Sequence, residues 1–152
     1  MRRISFFILA VVLFAACKKG QTKSPVLPNN KIAGKWTIVS VTVNALDSTR
    51  NFIPSRSHVY TNPPNNYFKF NADGTWAEQL VPDSLSDLGL TGNYVLNSDT
   101  TFTLLHSGPN SAPTACKISS LSPSLFVFSH ERSTKFDGTI PGFLQYVFKL
   151  TK

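Results

Sequence analysis

The 152-residue sequence has little of what marks several classes of protein. It has two cysteines, Cys17 and Cys116, and Cys17 ends an apolar segment, so a framework of internal disulfides is not expected. The longest apolar segment, Ile4 to Ala16, has 13 residues, whereas a helix needs about 20 to cross a hydrocarbon core. No long amphipathic pattern of helical period is present, which excludes α/β folds.

The sequence also lacks the patterns of catalytic and metal sites. Its histidines, His58, His106 and His130, are far apart and show no H-x-x-x-H spacing, and neither a G-x-S-x-G elbow nor a glycine-rich phosphate loop is present. Asp83 and Asp87 lie four residues apart, and we interpret this pair as part of a solvated turn. We therefore predict that the protein is not an enzyme and has no cofactor or metal ion.

Positive charge is concentrated near the N-terminal end of the chain. The net charge is +7, but from Gly34 onward nine basic side chains are balanced by eight acidic ones. A nucleic-acid-binding domain needs a basic patch on its folded part, so no nucleic-acid partner is expected. The four lysines between residues 18 and 31 either bind an anionic leaflet, at about 1 kcal/mol each, or belong to a solvated spacer.

Residues 1–16 have the composition of a signal peptide. Met1-Arg2-Arg3 is basic, the apolar segment follows, and Ala15-Ala16 provides small side chains before Cys17. The segment Leu13-Phe14-Ala15-Ala16-Cys17 resembles the lipobox of bacterial lipoproteins, with Phe14 where that family prefers leucine. The resemblance implies removal of residues 1–16 and acylation of Cys17. Two or more acyl chains would give a stable membrane anchor.

Residues 17–33 are expected to form a lipidated tether, and residues 34–152 a single domain. The segment from Lys18 to Lys31 has two prolines, paired asparagines and few apolar side chains, too few to fold alone. A flexible chain of this length spans about 20 Å. The domain is large enough for its own core, and Cys116 is expected to be a small buried apolar residue within it.

The domain is predicted to be all-β. Asp73-Gly74 between two β-rich segments is a strong hairpin signal, and alternate residues from Leu144 to Leu150 are apolar, as in a strand with one buried face. One helical turn, begun by a proline and ended by a glycine, is compatible with Val81 to Gly89. The eight predicted strands are 35–43, 67–70, 75–81, 92–96, 101–106, 114–119, 125–130 and 143–150.

The order of these strands predicts their architecture. Most of them follow one another as tight hairpins, and closing such a meander into a barrel removes its exposed edges. We therefore predict an eight-stranded antiparallel up-and-down barrel. A two-sheet sandwich is the alternative, although it usually needs crossover connections between its sheets.

Several short motifs resemble bacterial lipocalin-like lipoproteins. Gly34-Lys35-Trp36 at the start of the first strand resembles the lipocalin G-x-W signature, in which the tryptophan closes one end of the barrel. Phe68 to Trp76, Leu90 to Tyr94 and Tyr146 to Phe148 resemble later parts of the same proteins. The resemblance implies a lipocalin-like barrel with Gly34 and Trp36 as its closing signature.

The resemblance also implies contacts at both ends of the barrel. Lipocalins place a basic residue over the tryptophan, and Arg132 is the candidate here, with a solvated loop residue as the alternative. Residues 44–66 correspond to the lid over the open end, with a partly ordered surface loop as the alternative. The candidate lid and ligand contacts in this segment are Phe52, Ile53, Val59 and Tyr60.

An eight-stranded barrel can be filled by side chains or can hold one small ligand. The domain has nine phenylalanines, of which Phe126 and Phe128 share a strand face and are candidate ligand contacts. The first hypothesis is a membrane-anchored envelope lipoprotein that binds a small apolar or amphipathic ligand. The alternative is a filled barrel that binds or inhibits another envelope protein through its loops. Lys18 after Cys17 favours the outer membrane, with the domain facing the periplasm.

Overall fold

The computed structural model of the chain describes residues 30–61, 65–80, 91–108 and 112–152. The predictions for the signal peptide, for Cys17, for most of the tether and for a helical turn at 81–89 lie outside these residues. Two 3-10 helices are present, Asn30–Ile32 and Pro54–Arg56. The strands are β1 (Gly34–Asp47), β2 (His58–Thr61), β3 (Tyr67–Phe70), β4 (Thr75–Gln79), β5 (Thr91–Ser98), β6 (Thr101–His106), β7 (Thr114–Leu121), β8 (Leu125–Phe136) and β9 (Ile140–Thr151).

The strands form one antiparallel sheet that closes into a barrel. Strands β3 to β9 are hydrogen-bonded to one another in sequence order. β1 closes the ring, since it pairs with β3 on one side and with β9 on the other. The β1–β9 ladder is long, from Thr37 opposite Thr151 to Asp47 opposite Gly142. The prediction of a closed eight-stranded up-and-down barrel is confirmed: β1 and β3–β9 encircle it.

Residues 58–61 form a strand where the sequence predicts an unbroken loop. β3 pairs with only the first four residues of β1, Gly34–Thr37. β2 pairs with Ser40–Val43 on the same side of β1 and continues the wall where β3 ends. The loop prediction is therefore wrong at these positions. Their β-branched and aromatic side chains, His58-Val59-Tyr60-Thr61, fit a strand.

The last hairpin is longer than predicted. β8 continues to Phe136 instead of ending at residue 130, and β9 begins at Ile140 instead of residue 143. The turn between them has φ +51° at Asp137 and φ +76° at Gly138. Positive φ at two successive turn residues is what a type I′ hairpin turn requires, and Asp-Gly is a preferred sequence for it.

The antiparallel order determines the end of the barrel at which each strand starts. β1, β4, β6 and β8 run in one direction, and β3, β5, β7 and β9 run in the other. We call the end that contains Trp36 the closed end and the opposite end, where β8 turns into β9, the open end. Residue 30 and Lys152 both lie at the closed end because β1 starts there and β9 finishes there.

Candidate functional site

Trp36 is at the centre of the closed end. Its side chain is fully buried and its ring lies 5.4 Å from the ring of Phe126. The indole Nε1 donates a hydrogen bond of 2.8 Å to the carbonyl oxygen of Ile32, which is itself fully buried. Residues 31–33, which the sequence assigns to the tether, therefore pack against the barrel.

Lys152, not Arg132, lies over Trp36. The Nζ of Lys152 is 4.2 Å from the centre of the Trp36 ring and donates a hydrogen bond of 3.1 Å to the carbonyl oxygen of Ala33. Gly34 has φ +133°, and a Cβ there would lie 2.9 Å from Cε of Lys152, so glycine suits this position. Arg132 instead lies in β8 with its guanidinium 6.0 Å from the Tyr146 ring. The prediction for Arg132 is wrong because β8 carries it toward the open end.

Aromatic rings fill the interior next to Trp36. The stacked pair Phe128 and Phe148 has ring centres 5.0 Å apart, and Phe68 meets both of these rings edge-on at 5.2–5.3 Å. The packed phenylalanines, each at most 1% exposed, are Phe68, Phe70, Phe102, Phe126, Phe128 and Phe148. Phe126 and Phe128, predicted as ligand contacts, thus have no exposed surface. A ligand would reach them only if neighbouring rings moved.

The interior becomes polar toward the open end. His130 is 5% exposed and its ring stacks on Tyr146, with ring centres 5.0 Å apart and planes 7° from parallel. Glu78 and Asn66 are buried too, at 5% and 1% exposure. Buried polar groups normally need hydrogen-bond partners, so this layer restricts what the open end of the barrel can accept.

Trp76, the second residue of β4, faces His106, the last residue of β6. Their ring centres are 5.7 Å apart in an edge-on arrangement, and His106 Nε2 lies 2.8 Å from the Thr114 hydroxyl. Among the described residues, Trp76 Nε1 and His106 Nδ1 are buried atoms with no hydrogen-bond partner. Buried donors and acceptors of this kind are normally satisfied by protein, water or ligand. These two atoms are therefore a candidate contact point for a polar group.

Gly92 makes the close approach of these strands possible. It is the register partner of both Trp76 on β4 and His106 on β6. A Cβ at Gly92 would lie 1.9 Å from the carbonyl oxygen of Leu105 and 2.8 Å from Trp76 Nε1. Any larger residue would have to displace backbone, so the geometry around Trp76 depends on glycine here.

The four predicted lid residues are not gathered over the opening. Tyr60 packs against the core, and Ile53 is half-buried, with its backbone N–H donating to the carbonyl oxygen of Ala45. Phe52 and Val59 are each 54% exposed. The segment therefore forms part of the wall and its outer rim, and the role of these residues in ligand binding stays a prediction.

Arginine–carboxylate pairs hold the open rim together. Arg56 contacts both oxygens of Asp137, at 2.5 and 3.2 Å, and so ties the loop after β1 to the tip of the β8–β9 hairpin. Hydrogen bonding and charge from Arg56 lower the pKa of Asp137. Arg50 donates through one nitrogen to Glu131 at 2.5 Å. Both of these arginines thus have a nearby acid.

Asp47 organises the loop that follows β1. Its carboxylate accepts hydrogen bonds from the hydroxyl and backbone N–H of Thr49, and from the backbone N–H and amide of Asn51. These bonds lower the pKa of Asp47, with the Thr49 hydroxyl making the largest contribution. The carboxylate is therefore part of a local turn and is not available as a separate reactive group.

Cys116 is buried, as predicted from its position in a strand. Its side chain is 3% exposed, and burial raises the pKa of the thiol to about 12. A thiol with such a pKa is almost entirely protonated at neutral pH and is a poor nucleophile. Cys116 therefore contributes to packing.

An open groove of about 830 Å³ lies along β6, β7 and β8. Its lining includes the short side chains of Thr101, Ala115 and Ser129, together with Lys117 and Glu131. Within the described ranges, no three histidine, cysteine, aspartate or glutamate side chains are grouped so that they could share a metal ion.

Comparison with known proteins returns no relative. Searches against protein-family models, curated proteins and solved structures each find no match to this chain. The closed eight-stranded antiparallel barrel is compatible with a lipocalin-like fold. In the part of the chain that the structure describes, no helix has the length and apolar composition needed to cross a membrane.

Proposed function

We propose that this chain is a lipid-anchored protein of the bacterial envelope, with a filled lipocalin-like barrel that binds another envelope protein through its open end. The packing of the interior carries this proposal. Six phenylalanine rings occupy the region that a carrier would keep for its ligand, and none of them is more than 1% exposed. Binding then takes place on the outside of the barrel, and no catalytic step is part of the proposal.

The open half of the barrel offers apolar side chains for such a contact. Phe52, Val59 and Ile140 are 54%, 54% and 51% exposed. They lie on the loop after β1, on β2 and at the β8–β9 turn, beside the arginine–carboxylate pairs of the rim. Exposed apolar surface bordered by polar groups is typical of protein interaction sites.

Site-specific photo-crosslinking in the source cell tests this contact. A photoreactive amino acid at Phe52, Val59 or Ile140 should give an adduct with one and the same envelope protein. Lys149, exposed on the outside of β9 near the closed end, is the matched control and should give none. Adducts of equal yield at Lys149, or none at the open end, would contradict the proposal.

A small amphipathic ligand beside Trp76 and His106 is the second candidate. Trp76 Nε1 and His106 Nδ1 favour it, because both are buried atoms without a hydrogen-bond partner among the described residues. Native mass spectrometry of the mature protein, extracted gently from its own membrane, should then show an added mass that is lost on denaturation. The Trp76→Phe variant keeps a ring and removes the N–H, so it should bind less of this compound. A clean mass without any addition would argue against the ligand.

Acylation of Cys17 can be tested by counting thiols. Burial keeps Cys116 unreactive in the folded protein, so a thiol reagent should label the native chain at neither cysteine if Cys17 carries lipid. In denaturant the acylated chain should show one thiol, and a chain with a free Cys17 should show two. The lipobox resemblance supports the first outcome, and Lys18 supports an outer-membrane location facing the periplasm.

A further inference from the structure

The two ends of the barrel differ in the type and balance of their charged side chains. The open end has arginines paired with acids, Arg50 with Glu131 and Arg56 with Asp137. The closed end has lysines in excess, and two aspartates, Asp73 and Asp99, lie in its turns. The closed-end lysines, all exposed, are Lys31, Lys35, Lys69, Lys117, Lys149 and Lys152.

Two of these lysines are direct neighbours across strands. Lys35 on β1 is the register partner of Lys69 on β3, so both side chains project from the same outer face. Like charges directly opposite each other destabilise a sheet. Lys35 Nζ lies 4.2 Å from the centre of the Tyr67 ring, and Lys69 lies near enough to Asp73 to help lower the pKa of that carboxyl group. These neighbours leave two positive charges side by side on the outer face, where a negatively charged surface would be attracted.

The chain leaves the barrel beside this lysine pair. Ile32 is fully buried and Lys31 forms a 2.6 Å ion pair with Asp99, so the direction of the chain is fixed at residues 31 and 32. Cys17 precedes Asn30 by 13 residues, a length that spans about 20 Å as a flexible chain. A lipid on Cys17 would thus keep the closed end near the bilayer, whereas the open end lies at the far side of the barrel.

We infer that the closed end is a membrane-docking surface whose lysines contact the phosphate groups of anionic lipids. The inference rests on the proposed anchor at Cys17. The anchor keeps the domain near the bilayer, and the lysines orient it. An anionic surface attracts each nearby lysine, and this attraction falls off within a Debye length. The open end is thereby directed away from the bilayer, where a protein partner can reach it.

Fluorescence quenching on vesicles tests the orientation. The mature chain is reconstituted through its own anchor, after its mass has confirmed the acyl groups, into vesicles of phosphatidylcholine with or without phosphatidylglycerol. A probe is attached to a new cysteine, either Ser124→Cys at the closed end or Thr139→Cys at the open end. Labelling is selective because Cys116 is buried. Headgroup quenchers should quench the Ser124→Cys probe more than the Thr139→Cys probe, and the difference should grow with anionic lipid.

The lysine pair gives the matched variants. Lys35→Gln with Lys69→Gln removes two like charges, so it should not unfold the protein. It should lower the preference for the docked orientation on anionic vesicles by about fivefold for each lysine. Lys135→Gln, an exposed lysine on the open half of β8, should have no effect. Equal quenching at the two ends, or a double variant that behaves as the unmodified chain, would overturn the docking surface.

Failure of the anchor would be visible separately. A chain without acyl groups by mass would overturn the anchor. The docking surface would then be tested by sedimentation of the same chain with vesicles: binding to anionic but not neutral vesicles, lost in the Lys35→Gln/Lys69→Gln variant, would support it. Absence of that binding would overturn it.

Discussion

The closed and open ends of this barrel differ in how far their side chains are buried. At the closed end, Trp36 is fully buried, its indole N–H is bonded to Ile32, and Lys152 covers its ring. At the open end, exposed ion pairs hold the rim, and Phe52, Val59 and Ile140 are each more than half exposed. Satisfied packing of the first kind stabilises a fold, whereas exposed apolar groups bordered by polar ones are a usual sign of a binding region.

The largest expected effect comes from removing Trp36. Trp36→Ala would leave a cavity at the closed end, remove contacts with Phe126 and leave the Ile32 carbonyl oxygen without its donor. Large aromatic side chains in a core cost about 3–5 kcal/mol when cut to alanine. Urea unfolding followed by tryptophan fluorescence of Trp76 should show a free energy of unfolding lower by this amount.

Phe52 is the open-end control for that experiment. It is an aromatic residue of similar chemistry, but it is 54% exposed. Phe52→Ala should change the free energy of unfolding by less than about 0.5 kcal/mol, as surface substitutions usually do. If Phe52→Ala destabilised the protein as much as Trp36→Ala, stability would not be concentrated at the closed end.

A smaller effect is expected from Lys152. Lys152→Met keeps most of the side-chain length but removes the charge over Trp36 and the hydrogen bond to the Ala33 carbonyl. The two contacts together are worth about 1–2 kcal/mol, which urea unfolding can resolve. Lys135→Met on the open half of β8 is the matched control and should be neutral. A neutral Lys152→Met would mean that Lys152 covers Trp36 without stabilising it.

Local patterns were enough to predict the barrel but not the partner of Trp36. Alternating apolar residues and Asp73-Gly74 indicate strands and a hairpin, and closure follows from the meander order. Closure also requires β9 to end beside the start of β1. This brings Lys152, which follows β9, next to Gly34. The choice of Arg132 depended instead on a strand that ended at residue 130. The second Asp-Gly, Asp137-Gly138, was the signal that β8 and β9 extend further.

The contact between Trp76 and His106 could not be predicted from sequence because it depends on register. Trp76 and His106 are 30 residues apart and meet only because both pair with Gly92. Hydrophobic patterning identifies Phe126 and Phe128 as inward-facing. Whether inward-facing rings leave a cavity depends on how they pack, and here the ring centres lie 5–6 Å apart. β2 was missed because four residues are too few for a periodic signal.

The smallest expected effect concerns acid at the open rim. Arg56 holds the pKa of Asp137 below its usual value, so this contact contributes stability that is present above the unfolded pKa of about 3.9 and is lost as pH falls through the lower folded value. NMR titration of the Asp137 carboxyl group should show a midpoint below the ordinary value of an aspartate. In Arg56→Gln the midpoint should rise toward that value, because the donor and the positive charge are both removed. Arg50→Gln, which breaks the neighbouring pair with Glu131, is the control and should leave the Asp137 midpoint unchanged. A midpoint that did not move in Arg56→Gln would show that the hairpin tip is held by its turn alone, and that the ion pairs of the open rim do not fix its shape.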